Sequence, residues 1–155
     1  MTDVMPHRNL YTRLKVSAHG VGVFAIRDIP EGLRLFEGDA GGILRVPRTV
    51  VDQIADAEVR RMYFDFCPTR HDNFLAPVDF NQLTMSWYMN HSTNPNVQVD
   101  DDMQFTACRP IPLGKELTTD YVRFSDHASA ITSQWNSEGT AVARRRPMLL
   151  WRRWL

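Results

Sequence analysis

Cysteine is almost missing from this chain: Cys67 and Cys108 are the only two in 155 residues, and neither belongs to a plausible cluster of metal ligands. That excludes a disulfide framework, and no structural zinc is expected. Long apolar runs are missing too, since none approaches the ~20 residues that span a bilayer. No transmembrane segment is expected. Residues 1–9 are polar and lack the apolar stretch of a secretory signal, so the expected compartment is intracellular, either cytoplasm or nucleus. Net charge is likewise absent, with 18 basic and 18 acidic residues, but the balance hides an asymmetry. All 18 acidic residues and 13 of the 18 basic ones precede Arg144, which leaves the body at 13 − 18 = −5. An acidic body favours a Lys/Arg-rich partner and disfavours nucleic acid.

A chain of 155 residues buries one core and has no room for separate cofactor and substrate domains. Residues 11–16, 22–26 and 33–36 read as short strands divided by Gly and Pro, with the Asp28-Ile29-Pro30-Glu31-Gly32 turn between the second and third. After the glycine-rich break at residues 38–42, Thr49 with Asp52 resembles a capping box, and apolar Val50, Val51, Ile54 and Val59 predict one helix of about three turns. Residues 69–73 read as a loop and residues 78–89 are ambiguous. Residues 97–99 and 103–107 predict a hairpin about an Asp100-Asp101-Asp102 turn, and residues 116–121 a last strand after Pro110 and Pro112. The chain divides into an N-terminus of residues 1–9, a domain over 10–126 with an insertion at about 45–80, and a C-terminal segment over 127–155.

Three segments concentrate polar chemistry, and each has an ordinary structural explanation. In His19-Gly20-Val21-Gly22-Val23-Phe24-Ala25, the glycines would admit a ligand against the backbone, or would simply serve a turn. In Asn90-His91-Ser92-Thr93-Asn94-Pro95-Asn96, amide and hydroxyl groups would either bind something or fix a turn. In Gly114-Lys115-Glu116-Leu117-Thr118-Thr119-Asp120-Tyr121, the periodicity is that of a turn and a strand, with Tyr121 a half-buried aromatic.

Together and in this order, the three segments resemble the motifs of the SET-domain protein lysine methyltransferases, over about residues 11–124. The resemblance implies a mainly β fold of several short-stranded sheets, with a knot-like threading of the C-terminal motif and a short helical insertion. It implies S-adenosylmethionine as cofactor, contacted by Val21, Gly22, Val23, Asn90 and His91, and a lysine-bearing protein or peptide as substrate, histones among the candidates. Tyr121 would be the catalytic residue. Tyr88, Thr119 and Phe124 would line the lysine channel, and no metal would be used. The competing reading is a catalytically silent SET module that binds cofactor or peptide.

The chain departs from the family pattern in four places. Thr93 and Trp87 stand where many relatives have Cys and Arg. The cysteine cluster that closes the lysine channel in many relatives is missing, which leaves Phe124, the Trp135 region or the tail to close it. Thr119 stands where Tyr or Phe is usual, and its smaller side chain should admit di- or trimethyl-lysine. The tail from Arg144 to Leu155 is basic and aromatic. It could serve as a membrane or nucleic-acid contact, but docking on its own core, a dimer contact or a mobile end are the simpler roles.

Overall fold

Apolar residues alternating with polar ones across a two-residue turn make the first element, a hairpin of β1 (Thr12–Ser17) and β2 (Gly20–Ala25). Gly20 supplies the positive φ, 109°, that the hairpin's exit requires. This computed structural model describes residues 9–37, 42–123 and 125–126. Within them the chain forms ten short strands and two helices. Phe124, the Trp135 region, residues 144–155, residues 1–8 and the break at residues 38–41 lie outside the described residues.

Three small sheets carry the fold. The first orders β1, β2, β10 (Glu116–Thr119) and β7 (Asn90–His91), so the last strand enters between the first hairpin and a strand from mid-chain. β10 runs antiparallel to β2 and parallel to β7. This is the knot-like threading expected. The second sheet orders β3 (Arg34–Leu35), β9 (Phe105–Ala107) and β8 (Val97–Val99), with β8 and β9 forming the expected hairpin.

The third sheet orders β4 (Ile43–Pro47), β6 (Asn73–Pro77) and β5 (Thr69–Arg70), and it corrects two expectations. Residues 69–73 are the tip of a hairpin, turned by His71 and Asp72 at φ of 48° and 60°. Both are residues that tolerate the left-handed region, as a type I′ turn requires. The single three-turn helix from Thr49 is two helices, α1 (Arg48–Asp52) and α2 (Ala57–Phe66). Thr49 caps nothing. The stronger cap is Asp56, whose Oδ1 accepts from the N–H groups of Glu58 at 2.9 Å and Val59 at 3.1 Å. The first helix ends at Asp52 with Gln53 as its C-cap, an extended Asp56 starts the second, and Arg60 Nη1 secures the break by donating to the Ile54 carbonyl at 2.7 Å. The ambiguous residues hold two 3₁₀ turns, Phe80–Gln82 and Met85–Tyr88.

Candidate active site

The parallel pairing of β7 with β10 aligns Asn90 with Thr118 and His91 with Thr119. Two sequence motifs about thirty residues apart are thereby brought side by side. Asn96 fixes this seam: its Nδ2 donates to the Glu116 carbonyl at 2.8 Å, and its Oδ1 accepts from the Thr118 N–H at 2.8 Å. Its side chain thus imitates a neighbouring strand, satisfying backbone groups of a buried strand that would otherwise cost free energy.

Asn90 is 3% exposed, and its Nδ2 faces three oxygens: Glu116 Oε1 at 2.7 Å, the Val21 carbonyl at 3.2 Å and Ser17 Oγ at 3.2 Å. A carbonyl oxygen only accepts, so Nδ2 and not Oδ1 must occupy this position, and the amide orientation follows from the network. The side-chain oxygen is directed away, as the acceptor Asn90 has to offer. Gly22 lies directly beneath. A Cβ there would stand 2.2 Å from Glu116 Oε1 and 3.1 Å from Asn90 Nδ2. The glycine admits close approach, as its spacing suggested, but what approaches is the protein's own carboxylate.

Tyr121 follows β10 in a 3₁₀ turn, Tyr121–Arg123. Its N–H donates to His91 Nδ1 at 3.2 Å, which fits a neutral imidazole with its proton on Nε2. Its hydroxyl donates to the Met89 carbonyl. Both ends of the residue are therefore held by the segment around β7, and the His91 and Tyr121 rings lie 5.3 Å apart. Asp120 Oδ1 accepts from the Val122 N–H at 3.1 Å and lies 3.8 Å from His91 Nδ1, fixing the turn that presents Tyr121.

Val21, Gly22 and Val23 all lie on β2, but Val23 is fully buried in the core beside Leu117. Any ligand contact from Val23 must come through its backbone. Thr119 is 2% exposed, and its carbonyl accepts from the Ser92 N–H at 3.0 Å. Tyr88 is half-buried and packs edge-on to Phe66 at 6.4 Å between ring centres. Glu116, Asn96, Ser17 and Met89 were not singled out as site residues from sequence. Glu116 and Asn96 stand inside the motifs, but what they hold depends on the threading. Among the described residues, no group of three or more His, Cys, Asp or Glu is placed to hold a metal ion, and no helix is long and apolar enough to cross a membrane.

The match to known proteins is decided over residues 20–122, which fit the family model of the SET domain. The chain belongs to the SET-domain family. No curated protein matches it significantly. Among solved structures, this SET domain overlays a chain of Chaetomium thermophilum Polycomb Repressive Complex 2 bound to S-adenosylmethionine, with a TM-score of 0.53 and 20% identity over 81% of its length. A humanized form of that complex, bound to the inhibitor GSK343, gives a TM-score of 0.54 and 22% identity over 78% of the chain. In both cases the SET domain spans only a small part of the larger protein, 17% and 16%. A candidate histone methyltransferase of Plasmodium falciparum is similar at 21% identity over 72% of this chain and 92% of its own, with a TM-score of 0.46.

Proposed function

We propose that this protein transfers methyl groups from S-adenosylmethionine to the side-chain nitrogen of a lysine in another protein. The observation that carries the reading is the convergence of Asn90, Glu116, Gly22 and Tyr121 around one threaded seam of a SET domain. The residues fit the cofactor: Glu116 Oε1, the Val21 carbonyl and Ser17 Oγ gather acceptor oxygens about Asn90, a setting suited to a ligand with a positive charge. When bound, S-adenosylmethionine supplies an electrophilic methyl on a sulfonium.

The protein's own work is alignment and exclusion of water. An in-line displacement asks the site to hold amine, methyl and leaving sulfur in a row, and positioning of this kind lowers the barrier by several kcal/mol. Tyr121 has its hydroxyl proton engaged by the Met89 carbonyl, which leaves its oxygen lone pairs to accept from the lysine amine and to make weak contacts with methyl hydrogens. A free lysine titrates near 10.4, and desolvation beside a positive charge disfavours its ammonium form, so the proton leaves before attack without a dedicated base. Thr119 stays small beside this point, and the proposed product range therefore extends to di- and trimethyl-lysine. Histones are one substrate class that fits.

The test is incubation with a histone mixture and with a cell lysate in the presence of deuterated-methyl S-adenosylmethionine, followed by mass spectrometry of lysine-containing peptides. Labelled lysines are the expected result. Cofactor binding without any labelled protein would instead assign a silent binding module. A monomethyl product only, at full conversion with excess cofactor, would remove the role given to Thr119.

A further inference from the structure

Glu116 stands out because of what it lacks. Its carboxylate is half-buried, yet no Lys or Arg among the described residues forms an ion pair with it. A carboxylate withdrawn from water without a cationic partner is unfavourable unless hydrogen bonds or a ligand compensate. Among the described residues only one hydrogen bond to it is present, from Asn90 Nδ2 at 2.7 Å. The chain also gives up a side chain to make this placement possible, since any Cβ at Gly22 would stand 2.2 Å from Oε1. Main-chain contacts hold the residue from both sides: Glu116 pairs with Phe24 of β2, and its carbonyl accepts from Asn96 Nδ2. The carboxylate is therefore fixed in place above β2.

Building on the methyltransferase reading, we infer that Glu116 is a positioning residue for the cofactor, acting in two ways. It fixes the Asn90 amide so that the side-chain oxygen is presented as an acceptor, and it supplies the negative charge that a bound α-ammonium group completes. The positive partner that the described residues do not supply is thus brought by the ligand. Charge-assisted contacts of this kind are stronger than neutral ones, so the effect should be selective for ligands that carry the ammonium.

The experiment is calorimetric titration with S-adenosylmethionine and with an analogue in which hydrogen replaces the α-amino group, on wild type, Glu116→Gln and Gly22→Ala. Glu116→Gln keeps the shape and an acceptor oxygen for Asn90 while removing the charge. It is expected to weaken S-adenosylmethionine about tenfold, the scale of one hydrogen bond to a charged group, and to leave the analogue's affinity nearly unchanged. Gly22→Ala pushes the carboxylate aside without altering it and should reproduce the same loss of discrimination. Melting curves verify that each variant is folded, and either variant alone suffices if the other fails to fold. Equal weakening of both ligands by Glu116→Gln would reduce Glu116 to a brace for Asn90 and overturn the charge role, as would no weakening of either. Wild type that binds neither ligand overturns the methyltransferase reading itself, whereas wild type that binds both equally overturns only the assignment to Glu116.

Discussion

The two hydrophobic cores of this SET domain are built from different materials. Beneath the threaded seam, Val23, Ile29, Leu35, Met89, Val97, Ile111 and Leu117 form an aliphatic centre, and the aromatic Tyr11, Phe36, Tyr88 and Phe105 pack only at its edge. In the insertion, Val51, Cys67, Phe74 and Ala76 are packed by Tyr63, Phe66, Phe80 and Trp87. Tyr63 meets Phe74 and Phe80 edge-on at 5.9 Å and 5.1 Å, and Phe64 meets Phe74 at 5.0 Å. Aliphatic packing lets three short strands approach closely enough for Asn90 and Asn96 to bond across them. Aromatic packing spans the wider gap between a helix and a hairpin, where large rings contribute most of the buried area. The seam needs particular residues, while the insertion needs mainly volume. Tyr88 joins the two, packing on the first core and touching Phe66 of the second.

Removing the centre of the aromatic core tests this division most severely. Phe74 is 1% exposed, and Phe74→Ala should destabilise the protein by about 3–5 kcal/mol, the usual range for emptying a buried aromatic site. Denaturant unfolding measures the loss. If the cores are separable, cofactor affinity of the variant at low temperature, where it remains folded, stays near wild type. A matching collapse of affinity would show that the insertion supports the seam.

Asn96→Ala acts in the other region. It removes two hydrogen bonds and leaves the Glu116 carbonyl and Thr118 N–H of β10 without their partner. The expected cost is about 2–4 kcal/mol, from two net bonds plus the desolvation of groups left unsatisfied. Here cofactor affinity should fall together with stability, because the seam itself loosens. Hydrogen exchange at the Thr118 amide is the local readout.

How much of this could be read from the sequence divides along the same line. β8 was legible to the residue, because Val97-Gln98-Val99 alternates and is followed by three aspartates. The hairpin β1–β2 and the last strand were placed within a few residues, and the Asn90-His91 and Tyr121 motifs by resemblance. The insertion was read less well. Thr49 and Asp52 have the spacing of a capping box, but Asp56 offers a carboxylate to two N–H groups at once and wins the competition for the helix start. His71-Asp72 carries no glycine, so its hairpin turn left no strong signal. The role of Glu116 depends on a contact between residues 94 positions apart in the chain, and no local pattern announces it.

Tyr121→Phe is a smaller perturbation of the molecule, directed at chemistry. It deletes the hydroxyl that donates to the Met89 carbonyl but keeps the ring and the backbone bond to His91 Nδ1. Stability should fall by only about 1 kcal/mol, the net worth of one hydrogen bond. Turnover should fall by roughly 10²-fold through lost alignment, with little change in cofactor dissociation constant. Unchanged turnover would make Tyr121 a packing residue.

The smallest expected effect uses the two thiols as reporters of the two regions. Cys67 lies in the aromatic core at 7% exposure, and burial pushes its thiol up to about 12 from a usual value of 9.0. Cys108 is partly exposed at the seam, and its thiol donates to the Pro95 carbonyl at 3.5 Å. An alkylating reagent at pH 8 should therefore modify Cys108 first and reach Cys67 only when the insertion opens. The linkage has a definite sign. Because the folded protein holds the Cys67 proton more tightly than the unfolded chain, its contribution to stability is full below about 9 and declines as pH rises from there towards 12. Peptide mapping after timed alkylation separates the two sites. If Phe74→Ala accelerates labelling of Cys67 and leaves Cys108 at its wild-type rate, the insertion opens independently of the seam. Acceleration at both cysteines together would mean that the two cores open as one unit.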